Sequence, residues 1–400
     1  MRRKSLLLVL VLLVALSANA FASKLVVWES PGPETKFLKA VRDQFTAETG
    51  IEIEVVAIDQ LDQADKLALD GPAGKGADIV VWPHDRVGRS VIQGLLAPLP
   101  VTEKEMEPYV DSAVDAMRFD GEIYGIPYSM ETTALIYNKD MLPKVPNTID
   151  TLFTLAKSMT DKEEDRYGFL YKITDFYFSY GFLSGYGGYV FKQSENGLDI
   201  NDIGLANEGA VKGAKLLKRF RDEGLIPEGT DYGVMDGLFK EGKAAAIING
   251  PWSFAEYRDA GINYGIAPLP KLSNGKYPKS FIGVKGYYIS QFSENKENAL
   301  KFIKWLTSKE MAYKHYEMNA IIPANEAVMA MPEFKEDEDL LAFATQAGRG
   351  VPMPNVPEMM TVWDPMQHAI TYILNGEATP EVALELAVEQ IKEGIWEMKH

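Results

Sequence analysis

The chain has 400 residues, with 41 Lys and Arg against 57 Asp and Glu, a net charge of −16, and no cysteine. That charge argues against nucleic-acid binding, which needs clustered Lys and Arg along the phosphate backbone. Without cysteine there is no disulfide framework, no cysteine–zinc site and no lipobox acylation, and the length favours two lobes over one core.

Arg2, Arg3 and Lys4 precede the apolar stretch Leu6–Ala15, and Ala20-Phe21-Ala22 supplies an A-x-A cleavage signal. The segment reads as a secretory signal peptide cut after Ala22; its apolar core is too short for an ordinary membrane span. An uncleaved anchor is the alternative. Removing residues 1–22 leaves 378 residues and 38 basic against 57 acidic side chains, a net charge of −19. No other stretch is apolar enough to span a bilayer, so an exported protein is expected, periplasmic or extracellular, without membrane insertion after cleavage.

Leu25–Trp28 reads as a strand and Glu34–Thr49 as a helix, with Phe37, Val41 and Phe45 at four-residue spacing and Gly50 as its stop. Ile51, Ile53 and Val55 alternate with Glu52 and Glu54, giving a second strand and a βαβ unit with a parallel pair. Asp62–Leu69 is the next helix and Ile79–Val81 an apolar strand buried on both faces. Phe119-Asp120-Gly121-Glu122 reads as a hairpin turn. Ala134–Tyr137 is a strand, Thr151–Met159 a helix, and Gly185-Tyr186-Gly187-Gly188 breaks the chain into a loop. Asn207 and Asp231 cap two helices. Ala244–Ile248, Gly265–Leu269 and Val284–Ile289 are strands, Ser293 caps a helix, and the end is helical with Leu384, Ala387, Ile391 and Ile395 on one stripe. No repeat or low-complexity linker divides the chain. It is therefore expected to cross between lobes several times, near Ser129–Thr133, Phe281–Lys285 and Glu336–Leu340.

The strand Ile79–Val81 runs into Trp82-Pro83-His84-Asp85-Arg86. Ligands of open α/β sheets bind at the carboxyl ends of strands. An indole plate beside an acceptor and a donor suits a sugar, with its apolar ring face and hydroxyl edges. These residues equally allow a core Trp82 and a surface Asp85–Arg86 ion pair. Trp252 follows a strand across Gly250-Pro251, and Trp363 follows the proline-broken run Val351–Pro357. Singly each is as much core as site; together with Trp82 they favour a site. Trp305 and Trp396 lie in apolar helical patterns and read as core. Glu131 stands at an expected crossing. Asp175 begins a helix and reads first as its N-cap, while Tyr177 reads as a site residue. Tyr232 follows the cap Asp231 and is a site residue or a hydrophobic staple. The four histidines, His84, His315, His368 and His400, show no metal-ligand spacing, and no cofactor is expected.

In Lys24-Leu-Val-Val-Trp28, Thr49-Gly50-Ile51, Asp78 through Trp82, His84-Asp85-Arg86, Glu131 with Ile136-Tyr-Asn-Lys-Asp140, Gly187-Gly188-Tyr189, Thr230-Asp231-Tyr232, Ile248-Asn-Gly-Pro-Trp252, Asn263-Tyr264-Gly265, Met353-Pro354-Asn355 and Trp363, the chain resembles the maltose/maltodextrin-binding proteins. These are extracytoplasmic solute-binding proteins of ABC transporters, and the resemblance spans essentially the whole mature chain. It implies an α/β, two-lobed periplasmic-binding-protein fold (type II) with three interlobe crossings and the ligand in the cleft. Lobe 1 would be 23–130 plus 283–336 and lobe 2 131–282 plus 337–400. It implies a monomer that binds maltose, maltotriose and other α-1,4-linked glucose oligosaccharides, closes at a hinge, and delivers them to permease subunits. Carried residue by residue, Trp82, Asp85 and Arg86 contact sugar from lobe 1, Glu131 at the first crossing, and Tyr177, Tyr232, Trp252, Met353 and Trp363 from lobe 2. Asp175 stands where the family has Glu. The chain departs from the family at Ser30-Pro31-Gly32-Pro33 before Glu34, where an acid and a base are usual, at Phe176 in place of proline, and at Gln367 where arginine is common. These changes bear on oligosaccharide length and affinity for the disaccharide.

Two rival readings remain: a binder of another oligosaccharide, such as trehalose or a β-linked glycan, and a secreted glycoside hydrolase. Hydrolysis needs two carboxylates flanking one bond, one with a raised pKa. Asp85 beside Arg86 is expected to stay ionised, and nothing in the sequence singles out a proton donor.

Overall fold

The computed structural model describes residues 24–194 and 197–400; the expected signal peptide, residues 1–22, lies outside them. β1 (Lys24–Glu29), α1 (Pro33–Thr49) and β2 (Glu52–Ala57) form the expected βαβ unit, with β1 and β2 parallel and Lys24–Glu29 opposite Glu52–Ala57. Pro33 opens α1, where its fixed φ suits the first turn and its missing N–H costs nothing. Gly50 closes it at φ 72°, a left-handed conformation that favours glycine. α2 (Gln63–Asp70) leads to β3 (Ile79–Pro83), an apolar strand buried through Trp82.

The remaining elements that frame the site are β4 (Gly125–Glu131), β5 (Ala134–Asn138), α3 (Phe176–Tyr186), α4 (Tyr232–Lys240), β6 (Ala246–Asn249), β7 (Tyr264–Ala267), β8 (Phe281–Ile289), α5 (Lys309–Asn319), β9 (Ile322–Pro323), β10 (Val351–Pro352), α6 (Trp363–Asn375) and α7 (Pro380–Lys399). The larger sheet runs β9-β4-β8-β3-β1-β2, with β10 beside the start of β8. β8 lies antiparallel to β3 and β4 but parallel to β10. The smaller sheet, β6-β5-β7, is antiparallel.

Each sheet has its own core. Leu25, Phe37, Val41, Phe45, Val80 and Phe302 lie in the first, and Ile136, Phe169, Phe182, Phe220, Ile248 and Ile391 in the second. The chain leaves the first core after Tyr128 and joins the second at Ala134. β8 starts in the second at Phe281 and continues in the first from Val284, and the chain returns to the second core between Ala324 and Phe334. Met130 packs against both. Two cores joined by extended segments give the two-lobed form. Among the described residues no helix is long and apolar enough to cross a membrane.

Three local expectations are corrected. The helix Lys296–Leu306 starts after Asn295; Ser293 Oγ instead accepts the Asn295 amide at 3.0 Å and donates to Asp78 at 2.5 Å. Gly185 does not break the chain but lies within α3, where a Cβ would meet Leu272 Cδ1 at 2.5 Å; the break comes at Gly187, φ 116°. Trp396 is 60% exposed. It is next to Ile395, which is on the buried stripe, and one helical residue turns about 100° away from that face.

Candidate functional site

β8 is the spine of the site. Its Gly283 pairs with Glu131 at the end of β4, and its Ile282 carbonyl accepts the Met353 amide just beyond β10 at 3.1 Å. A methyl group on Gly283 would lie 3.3 Å from Met353 Cε and 3.8 Å from both Glu131 Cβ and the Tyr177 hydroxyl. The missing side chain at 283 therefore leaves open the point where Glu131, Met353 and Tyr177 converge.

Tyr177 is aimed by the start of α3. Asp175 caps that helix, accepting the Tyr177 amide at 2.9 Å and pairing with Lys172 at 2.9 Å. From there an aromatic wall extends. The ring centroids of Tyr177 and Trp252 are 6.3 Å apart, those of Phe178 and Trp252 6.2 Å, and those of Phe178 and Tyr232 6.5 Å. The Tyr232 hydroxyl accepts from Asn249 at the end of β6 at 3.3 Å. Phe176 packs edge-on to Trp363, the first residue of α6, at 5.9 Å. Tyr177, Tyr232, Trp252 and Trp363 are all half-buried, so each keeps an accessible face. Burial, then the charges of Glu131, Asp85 and Asp175, hold the Tyr177 phenol well above its ordinary pKa. The Asp85 charge adds to that rise, and Trp363 lowers the Asp85 pKa in turn, which sets the carboxyl in the electrostatic neighbourhood of both rings.

Several expectations change. Trp82 is no open plate: it is fully buried, stacked on Tyr288 at 5.2 Å, with its indole N–H unpartnered. β3 extends through Pro83, so Trp82 is still inside the sheet, opposite Gly286 of β8. Arg86 makes no ion pair with Asp85 among the described residues; its Nη1 donates to the Leu61 carbonyl at 2.9 Å and its Nε is buried without a partner. Sequence neighbours on one turn, His84–Arg86, do not face each other. Burial outweighs the Arg86 charge and pushes the Asp85 carboxyl up to about 6, so Asp85 is not the securely ionised acid expected. Asp175 is taken up by its cap and ion pair, and Gln367 is exposed to solvent on α6.

The sequence reading gave no site role to two neighbours of the site, His84 and Lys285. His84 Nε2 lies 2.9 Å from the Met353 carbonyl and its Nδ1 accepts the Val284 amide at 3.0 Å. Lys285 Nζ lies 2.7 Å from Glu131 Oε1 and 3.5 Å from Glu34 Oε1, all three groups buried. The available signal was one lysine inside the otherwise uncharged strand Phe281–Ile289. Burial raises the Glu131 pKa, the Lys285 charge and hydrogen bond oppose that, and Glu34 adds to the rise. A cavity of about 580 Å³ opens beside Met353 too, but toward His84, Asp115, Tyr180 and Phe191, away from the aromatic wall. Among the described residues no group of three or more His, Asp or Glu could hold a metal ion.

Residues 40–342 match the family described as bacterial extracellular solute-binding protein. The chain is 38% identical to the galactooligosaccharide-binding protein of Bacillus subtilis over 94% of this chain and 90% of that one. It is 35% identical to the maltodextrin-binding protein of Bacillus subtilis over 90% and 88%. Among solved structures, a cyclo/maltodextrin-binding protein complexed with maltotetraose is 43% identical, covers 93% of this chain and 97% of its own, and superposes with a TM-score of 0.80. The Thermus thermophilus maltotriose-binding protein bound with maltotriose is 34% identical, with a TM-score of 0.87 over 93% and 100%. The chain belongs to the bacterial extracellular solute-binding proteins.

Proposed function

We propose that this protein binds an α-1,4-linked glucose oligosaccharide between its lobes and presents it to the permease subunits of an ABC transporter. The observation that carries this reading is the meeting of Glu131, Tyr177 and Met353 at side-chain-free Gly283, beside the half-buried rings of Tyr177 and Trp252. Glu131 and Asp85 accept sugar hydroxyls, and Tyr177, Tyr232, Trp252 and Trp363 cover the ring faces. Arg86 lies at the rim, Trp82 supports the first lobe's side from inside its core, Asp175 acts through its cap on Tyr177, and Gln367 lies one turn beyond Trp363. Relatives and structural neighbours named for maltodextrin and maltotriose support the ligand class.

Closure is a rotation of lobe 1 (23–130 plus 283–336) against lobe 2 (131–282 plus 337–400), favoured because a sugar touching both lobes binds the closed form better. The protein acts as a monomer outside the cytoplasm and performs no chemistry on its ligand. The test is incubation with maltotetraose, followed by tryptophan fluorescence and product chromatography. A saturable fluorescence change with intact sugar is expected; accumulating maltose or glucose overturns the reading in favour of hydrolysis. The galactooligosaccharide-binding relative motivates a second reading, a galactooligosaccharide ligand on the same wall.

A further inference from the structure

Beneath Glu131 lies a buried cluster of charged side chains with more acid than base. Glu29 from β1, Glu34 from α1 and Glu131 from β4 surround one cation, Lys285 of β8, all of them buried. Lys285 sits at an irregularity in the β4–β8 ladder, where the register shifts between Lys285 and Gly286. That shift delivers its ammonium to Glu131 at 2.7 Å and Glu34 at 3.5 Å. Glu29 spends one oxygen on the Ser30 amide at 2.8 Å; the other is buried without a partner, as are the hydroxyls of Ser30, Tyr128, Ser129 and Tyr287. His315 of α5, stacked on Phe37 and Tyr128, faces the same lysine.

We infer that Lys285 is a positioning residue for oligosaccharide recognition: it holds Glu131 ionised and oriented so that its carboxylate accepts hydroxyls of the bound sugar. This rests on the proposed role of Glu131 and names what makes that role possible. A carboxylate buried among other acids and apolar walls takes up a proton unless a cation is fixed beside it. A protonated Glu131 loses acceptor capacity and gains a donor, which leaves sugar hydroxyls mismatched. Glu34 works against Lys285, both by sharing the ammonium and by repelling Glu131. The other groups facing Glu131 are Glu29 on β1, Tyr128 on β4 and, at the convergence point by Gly283, Tyr177 on α3.

The test is calorimetric titration with maltotriose between about pH 6 and pH 9 for wild type, Lys285→Met, Glu34→Gln and Glu131→Gln, with melting curves for each. Lys285→Met is expected to weaken binding about ten- to hundredfold at neutral pH and to regain affinity as pH rises and Glu131 ionises unaided; a purely structural role would not produce that recovery. Glu34→Gln removes a repelling acid, so the acid limb of the binding profile moves to lower pH. This arm remains decisive should Lys285→Met fail to fold. Wild-type affinity with a flat profile in folded Lys285→Met, or an unmoved acid limb in Glu34→Gln, overturns the inference. If Glu131→Gln also binds like wild type, the site reading itself fails; if it loses binding while the other two variants match wild type, only the role of Lys285 fails.

Discussion

His84 of the first lobe holds Met353 of the second, its Nε2 2.9 Å from the Met353 carbonyl oxygen. Because Nδ1 accepts the Val284 amide at 3.0 Å, the ring is the neutral tautomer that donates from Nε2. The Gly88 amide reaches the Asn355 carbonyl at 3.2 Å, and the Asn355 side chain bonds the Arg118 carbonyl at 2.8 Å. The proline-broken strap after β10 is thereby fixed to the first lobe before it delivers Trp363. His84→Ala leaves a buried amide and a buried carbonyl unpaired, each costing about 1–3 kcal/mol. A lower unfolding free energy in denaturant is the expected result.

The same ring makes stability pH-dependent. Burial pushes the His84 pKa from 6.5 down to about 4, so between those values the unfolded chain carries a proton that the folded chain does not. The contribution is complete above 6.5 and is lost as pH falls toward 4. Asp85 and Glu29, pushed up by burial to about 6 and about 8, act in the opposite sense. The comparison of wild type with His84→Gln isolates the histidine: the stability gap should narrow between pH 7 and pH 5, read by urea unfolding at both.

Asp85 bears a cost that its function requires. Its folded pKa lies above the ordinary 3.8, so the site disfavours the ionised form at neutral pH. Asp85→Asn is expected to raise the melting temperature by a few degrees, from about 1 kcal/mol of relieved desolvation. It should also weaken sugar binding about tenfold or more, because a charged acceptor is lost. Unchanged affinity would remove Asp85 from the site.

The two tryptophans should part company. Trp82 is fully buried against Tyr288, so Trp82→Ala is expected to cost about 3–5 kcal/mol of stability. Trp363 is half-buried at the wall, so Trp363→Ala should fold normally and lose about ten- to hundredfold in affinity. Thermal melts and titrations on both variants check the contrast.

Gly283→Val tests the convergence point. Its Cβ would stand 3.3 Å from Met353 Cε and within 3.8 Å of Glu131 and Tyr177. A β-branched residue suits a strand, so the fold should persist while affinity falls about tenfold or more. Binding at wild-type strength would place the sugar elsewhere.

Much of the architecture was legible in local pattern. Alternation at Ile51, Ile53 and Val55 gave β2, the Phe37–Val41–Phe45 spacing gave α1, and Asn207, Asp231 and Asp175 cap the helices they precede. What pattern could not supply was depth and direction. Trp82 looks like a strand end but remains inside the sheet because β3 runs on through Pro83. Asp85 and Arg86 look like a pair but diverge on one turn. Lys285 meets Glu131 because β4 pairs with β8, and Glu34 because α1 brings it to the same place, relationships between segments distant in sequence that no local spacing encodes.

Recognition of α-glucans between the lobes is tested most directly by calorimetric titration with maltotriose, with a galactooligosaccharide, trehalose and cellobiose titrated in parallel. Saturable heat at one site per chain with maltotriose, and weak or no heat with the other three, is the predicted result. No heat with maltotriose, or saturation only with the galactooligosaccharide, would contradict it.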